Sequence, residues 1–182
     1  MTIRPIHLLG SPPLRERAKE VGTAVTDELR QLVNDLFDTM YAARGVGLAS
    51  NQIGVTRRVA VVHAGEGTEP LVLIDPVVVE QEDEAVDEEG CLSIPEIYAE
   101  VKRPARVVVE TSTLEGKRIR ISAAELKARA IQHEIDHLDG ILFLDRLSPL
   151  KRRLLLRKWK NMRKGETSLL REVPPPEPAT KS

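Results

Sequence analysis

The chain has 182 residues, a formal charge of −1 at pH 7 and only 3% aromatic residues. This length fits one domain. Because aromatic residues are few, its core must be built from Val, Ile, Leu and Ala. The balanced charge gives no general attraction to nucleic acid or to membranes, so we expect no DNA partner and no membrane partner. No apolar run reaches the roughly 18 residues of a membrane span, and the first residues lack a signal-peptide pattern, so we expect a cytoplasmic protein.

The N-terminal part is predicted to hold an extended segment followed by a helix. Three prolines within residues 1–14 favour extended backbone. From Leu29 to Tyr41 apolar residues recur every three or four positions, which predicts an amphipathic helix. Its predicted start is Thr26 or Asp27, and Gly45 ends it.

A glycine-rich loop follows this helix. Residues 45–54 read Gly-Val-Gly-Leu-Ala-Ser-Asn-Gln-Ile-Gly. Glycines let the backbone approach another chain or a ligand closely, and the Gln52 amide can donate to a carbonyl. The loop does not match a phosphate-binding loop, because no Lys-Ser or Lys-Thr pair follows it.

The middle of the chain is predicted to form strands. Residues 80–89 contain seven acidic side chains and predict a solvated loop. Glu89 differs from the other six because it directly precedes Gly90-Cys91-Leu92-Ser93. A single cysteine excludes an intrachain disulfide. The predicted strands are residues 58–63, 71–79, 97–101, 105–111 and 118–121.

The next segment is predicted to be a helix that carries an H-E-x-x-H motif. His133 and His137 lie four positions apart, so a helix places both imidazoles on one face, where they can bind one metal ion. Glu134 lies close enough to move the protons of a water at that ion. The sequence Ser-Ala-Ala-Glu at 122–125 has the form of a capping box, and Asp139-Gly140 can end the helix.

The last predicted helix is basic. Ser148-Pro149 supplies a cap and a first-turn proline for a helix over about 149–164. It is either a solvated face, packed on the body through Leu154, Leu155 and Trp159, or a site for polyanions. The sequence therefore predicts one catalytic domain over residues 1–165 and a disordered tail over 166–182. The basic residues of the predicted helix are Lys151, Arg152, Arg153, Arg157, Lys158, Lys160, Arg163 and Lys164.

The residue types in these motifs suggest a hydrolytic metal site. Two imidazoles and the Cys91 thiolate form a ligand set for Zn(II) or Fe(II), with a fourth position open for water. Glu134 would take a proton from that water and return it to a leaving group. Such a site hydrolyses amides or esters.

Three blocks of this sequence resemble those of the peptide deformylases, which remove the N-formyl group from the formylmethionine of nascent polypeptides. The blocks are residues 45–52, 89–93 and 132–138, in the order that the family has them. The order of predicted elements fits an α+β fold. The resemblance further implies mixed, mostly antiparallel sheets around a central metal-binding helix, with an N-terminal amphipathic helix and a C-terminal helix.

The resemblance also implies roles for individual residues. Glu134 would be the acid and base, and the Gln52 amide and the Leu92 backbone N–H would hold the oxyanion. Glu89 would orient a ligand without binding the metal. Iron(II), one ion per chain, would be the native metal, and Zn(II), Ni(II) or Co(II) would be able to replace it. The implied metal ligands are Cys91, His133 and His137, and the substrate would pass along Val46, Gly47 and Gly90.

Bacterial members of the family carry a similar basic C-terminal helix, which docks on the ribosome. The resemblance therefore implies a ribosome contact through the helix at 149–164, with formylmethionyl peptides as substrates.

Two other interpretations of the H-E-x-x-H motif remain open at this level. A zincin peptidase needs a further histidine or glutamate ligand, and after Glu134 the sequence offers only Glu166, Glu172 and Glu177. A structural metal site needs a fourth protein ligand, for which Asp136 and His63 are the candidates.

Overall fold

The computed structural model describes residues 1–176, and this part of the chain has an α+β fold with three α-helices and mostly antiparallel sheets. The predicted fold class is confirmed at this level. No helix within residues 1–176 is both long enough and apolar enough to cross a membrane. The strands are β1 (Ile6–His7), β2 (Gly47–Ala49), β3 (Val59–Val62), β4 (Leu71–Glu82), β5 (Ala85–Cys91), β6 (Ile94–Arg103), β7 (Arg106–Ser112), β8 (Arg118–Ala124) and β9 (Leu170–Arg171).

The main sheet has five antiparallel strands in the order β2-β3-β4-β7-β8. Strand β4 breaks its register between Ile74 and Val77, where Pro76 cannot donate to the ladder. At this break Asp75 has a φ of 48°. Its carboxylate accepts the backbone N–H groups of Val21 and Gly22, both at 2.9 Å, and so ties the N-terminal segment to the sheet.

The acidic stretch is not the solvated loop that the sequence predicts. Residues 85–91 form β5, which pairs with β6 in a separate two-stranded sheet. The acidic side chains of Asp87 and Glu88 point to solvent, whereas Glu89 is buried. The strand was predicted as a loop because this hairpin exposes most of its side chains, so its sequence is highly charged. The hairpin carries Cys91 at its turn.

Helix α1 (Asp27–Ala42) lies against the main sheet. Thr26 caps it, and the Thr26 hydroxyl accepts the N–H of Leu29. Thr26 is therefore the N-cap residue. The cluster between helix and sheet contains Leu29, Leu32, Val33, Leu36, Met40, Val59, Val61 and Ile74.

Helix α2 (Glu125–Leu138) begins later than the capping-box pattern predicts. Ser122 lies in β8 and pairs with Val108, so its hydroxyl does not cap the helix. Ala124 occupies the N-cap position and has no side-chain cap bond. The sheet ladder continues to Ala124 and prevails over the local capping signal. Behind α2 lies a core cluster that includes Ala60, Val62, Ile131, Ile135 and Leu138.

Helix α3 (Pro149–Met162) follows a 3-10 turn at Phe143–Arg146. The predicted disordered tail needs a correction. Leu170–Arg171 pairs with β1, and Val173 is 7% exposed, because apolar side chains in this segment find partners on the body. The rest of the predicted tail, 177–182, lies outside the described residues.

Candidate active site

Three candidate metal ligands converge at one point. Cys91 comes from the turn between β5 and β6, whereas His133 and His137 lie one turn apart on α2. The Nε2 atom of His137 is 3.2 Å from the Cys91 Sγ atom and 3.2 Å from the Nε2 atom of His133. A thiolate and two imidazole nitrogens this close repel one another unless a cation or protons lie between them. The set therefore fits a divalent metal ion, as its mutual distances within 4.8 Å also indicate.

Glu89 orients one of these ligands. The Nδ1 atom of His133 is 3.0 Å from Glu89 Oε2, which leaves Nε2 free to face the other two ligand atoms. Burial raises the pKa of Glu89, but hydrogen bonds from His133 and Arg103 outweigh it and lower the pKa to about 2. Glu89 is therefore an ionised acceptor at neutral pH.

A buried ion network, formed by Glu89, Arg103, Arg129 and Asp136, supports this arrangement. Arg103 donates to both carboxylates, at 3.0 Å to Glu89 Oε2 and at 2.9 Å to Asp136. Arg129 donates to Glu89 at 2.8 Å. Sequence reasoning missed both arginines. Ile97 and Arg103 lie an even number of positions apart and are both buried on the same side of β6. The period of two along a strand is therefore the sequence signal that could have indicated an inward-facing Arg103.

Glu134 lies beside the candidate ligands in a tight site. It is 4% exposed, and burial raises its pKa to about 7. Its Oε2 atom has no hydrogen-bond partner within residues 1–176. A methyl group at Gly47 would lie 2.9 Å from Cγ and from Cδ of Glu134, so only glycine leaves room for this carboxyl. The arrangement gives a buried carboxyl that can gain or lose a proton near neutral pH.

The Gln52 amide is held next to the same point. Its Oε1 accepts the N–H of Ala49 at 2.9 Å, which fixes the orientation of the amide. Its Nε2 donates to Ser93 Oγ at 3.1 Å and lies 3.7 Å from Cys91 Sγ. The neighbouring Asn51 Nδ2 donates to the His137 carbonyl, which ties this turn to the end of α2.

The candidate residues border one cavity of about 500 Å³. His137 is the exception, because it is 1% exposed and lies behind the wall. The cavity also contacts Arg44, Leu126 and Arg171, which sequence reasoning did not assign to it. The predicted site residues on its wall are Val46, Gly47, Gln52, Glu89, Gly90, Cys91, Leu92, His133 and Glu134.

The two alternative interpretations find no support among residues 1–176, where neither Glu166 nor Glu172 joins the group of Cys91, His133 and His137. Asp136 is occupied by Arg103 and Arg146, and His63 bonds to the Tyr41 hydroxyl and the Thr68 carbonyl. Within residues 1–176, neither joins the Cys91, His133 and His137 group. These three candidate ligands would therefore leave a fourth position of a tetrahedral ion without a protein ligand.

Known proteins of one family match most of this chain. Residues 3–153 match the family model described as polypeptide deformylase. A peptide deformylase of Rhizobium meliloti is 48% identical over 163 residues, which are 87% of this chain and 93% of that protein. One of Acetivibrio thermocellus is 50% identical and covers 81% of this chain and 85% of its own length.

Solved structures agree with the sequence relatives. The crystal structure of a peptide deformylase from Legionella pneumophila superposes with a TM-score of 0.84 and 44% identity, over 90% of this chain and 96% of that one. The Thermotoga maritima peptide deformylase gives 0.77 and 39%, over 82% and 100%. The chain therefore belongs to the peptide deformylases, the hydrolases that remove the N-formyl group from nascent polypeptides.

Proposed function

We propose that Cys91, His133 and His137 hold one Fe(II) ion, replaceable by Zn(II), Ni(II) or Co(II), and that Glu134 is the acid and base of deformylation. One observation carries the proposal. The His137 Nε2 atom lies 3.2 Å from both Cys91 Sγ and His133 Nε2, beside a buried carboxyl whose pKa is raised to about 7. On this proposal α2 is the metal-binding helix around which the sheets pack.

The bound ion would act as a Lewis acid and supply a nucleophile at neutral pH. Glu134 accepts one proton from the attacking water and delivers it to the amine nitrogen as the C–N bond of the formamide breaks. The products are formate and the free α-amino group, which takes up the second proton of the water and leaves as an ammonium group. The Gln52 amide and the Leu92 N–H donate to the formyl oxygen while it carries negative charge.

The cavity walls suggest how the peptide lies. Val46, Gly47 and Gly90 line its path, and an extended peptide can pair with the backbone there as an added strand. Val46 and Leu126 offer exposed apolar surface for the methionine side chain. Glycines at 47 and 90 leave the space that Glu134 and the Tyr98 ring occupy.

We further propose that residues 1–165 form one catalytic domain that works in the cytoplasm and docks on the ribosome through α3. Of the eight basic side chains over 151–164, seven are exposed, and Arg163 packs over the Trp159 ring at 5.0 Å. Leu150 and Leu154 are also exposed, at 63% and 55%. An exposed cationic helix suits the phosphates of ribosomal RNA.

Formate release from a formyl-Met tripeptide tests the reaction. Protein purified without oxygen should release formate, and Glu134→Gln should lose about 10²- to 10⁴-fold in kcat while it still binds one metal ion. No release by the parent, with metal bound, would contradict deformylation. A thiolate ligand beside Fe(II) also predicts faster loss of activity in air than under argon, and replacement by Ni(II) should slow that loss.

A further inference from the structure

The segment from Leu169 to Val173, here called the C-terminal arm, is held on the body by backbone pairing. Leu170 pairs with His7, and Arg171 pairs with Ile6. The N–H of Leu8 donates to the Leu169 carbonyl at 2.8 Å. Val173 is buried in the cluster that contains Ile6. These contacts fix the backbone of the arm, so they also fix where the Arg171 side chain starts.

Arg171 borders the active-site cavity from this arm. It is half-buried, and its Nη1 atom lies 3.5 Å from the carbonyl oxygen of Leu92. Leu92 directly follows the metal-ligand candidate Cys91. The guanidinium therefore sits beside the strand turn that carries the proposed chemistry.

Most N–H donors of the Arg171 guanidinium make no hydrogen bond to residues 1–176. A guanidinium has five N–H donors, and among residues 1–176 the only acceptor of a hydrogen bond from the Arg171 side chain is the backbone carbonyl of Leu92, at 3.5 Å. In the same part of the chain no carboxylate lies within 4.0 Å of it. Arg129, which borders the same cavity, differs because it donates to Glu89 at 2.8 Å and to the Val101 carbonyl.

The mouth of the cavity carries no net charge that would attract anions in general. Arg44 and Arg171 supply two positive charges there, and the exposed Glu88 and Glu96 supply two negative ones. These charges balance, so any selection by Arg171 must be local to the peptide position that it faces. A planar guanidinium with free donors matches a carboxylate in a bidentate pair.

We propose that Arg171 is a specificity-determining residue that binds an acidic side chain close behind the formylated methionine of the substrate. The proposal rests on the deformylase function above. The ligand is a side-chain carboxylate, because a nascent chain has no free terminal carboxylate near its formylated end. The arm thereby selects among substrates without entering the reaction.

The test uses peptides with amidated C-termini, which removes the terminal carboxylate as a second source of the same chemistry. Formyl-Met-Xaa-Ala-amide and formyl-Met-Ala-Xaa-amide are compared with Glu, Gln or Lys as Xaa. We expect kcat/KM for Glu to exceed that for Gln by about 3- to 10-fold at one of the two positions, as for a partly buried charge-assisted pair. Raised salt should reduce this ratio.

Three variants sharpen the test. Arg171→Gln should bring the Glu to Gln ratio to about one, and Arg171→Lys should keep part of it. Arg44→Gln removes the same charge from the same cavity and should leave the ratio within about twofold of the parent. Thermal unfolding of each variant shows whether the arm remains docked.

Each other outcome overturns the proposal. Equal rates for Glu and Gln peptides with the parent enzyme would show that no acidic subsite exists, even though formate release from the Gln peptide shows that the enzyme is a deformylase. An equal loss for all peptides in Arg171→Gln would show a structural role only. An equal fall of the ratio in Arg44→Gln would assign the preference to the general field of the mouth.

Discussion

Helices α2 and α3 have 14 residues each but handle their charges in opposite ways. Helix α2 buries ten residues, among them Arg129, Glu134 and Asp136, whereas α3 buries only Trp159. Buried charges must find partners inside the protein, and the network around Glu89 provides them. Exposed charges remain available to an external partner. Burial therefore separates the helix for which we propose chemistry from the helix for which we propose recognition of another molecule.

The largest difference should be in stability, between the buried network that pairs the charges of α2 and the exposed face of α3. Arg103→Met removes the shared partner of Glu89 and Asp136 and leaves two buried carboxylates poorly paired, which should destabilise the protein by about 3–5 kcal/mol. The matched change Arg157→Met on α3 should shift stability by less than about 0.5 kcal/mol. Urea unfolding of both variants measures the contrast. Equal shifts would show that the network contributes no more than a surface charge.

The next effect concerns the space that α2 needs. Gly47→Ala places a methyl group against the Glu134 side chain and should lower kcat for formate release by about 10²-fold, because the carboxyl is displaced. Gly45→Ala is the control, since its methyl group meets the end of the flexible Leu92 side chain. It should cost much less. Full activity in Gly47→Ala would mean that Glu134 needs no fixed position.

Charge removal on α3 should change recognition and not stability. Replacing Lys151, Arg153 and Lys158 together by Gln should weaken ribosome binding and lower the slope of log K against log salt by about 2–3. Sedimentation with ribosomes at several salt concentrations measures this slope. Binding that survives truncation at Ser148 would contradict the proposed contact.

The smallest effects should come from the two N-caps. Ser148 caps α3 by accepting the N–H of Lys151 at 3.3 Å, so Ser148→Ala should destabilise the protein by about 1 kcal/mol. Ala124 gives α2 no side-chain cap, and Ala124→Asp should stabilise by about 1 kcal/mol. Thermal unfolding checks both signs. A loss of stability in Ala124→Asp would mean that the strand ladder controls this end of the helix.

What the sequence could predict depended on how local each signal is. His133, His137 and Glu134 lie in a short motif whose chemistry can be inferred directly, whereas the role of Gln52 came from the resemblance to the family. The structure brings these residues together with Cys91. The start of α1 was equally local, because Thr26 caps it within one turn.

Features that depend on distant pairing were missed or misplaced. The strand β5 appeared to be a loop because its acids face solvent, and Ser122 appeared to be a cap because its pairing with Val108 is not visible in sequence. Arg103 and Arg171 acquire their roles from partners far along the chain. Only the alternating pattern of β6 gave a local indication of Arg103.

The pairing of β9 with β1 has a consequence for synthesis. A growing chain contains all three candidate metal ligands once His137 has been added, but the arm that supplies Arg171 follows more than thirty residues later. Strand pairing over nearly the whole chain is slow to form, because loop closure must come first. The candidate metal ligands all precede the arm and need none of its pairing, so the wall at Arg171 is the last part of the cavity to form, and any discrimination by Arg171 depends on the final strand of the fold.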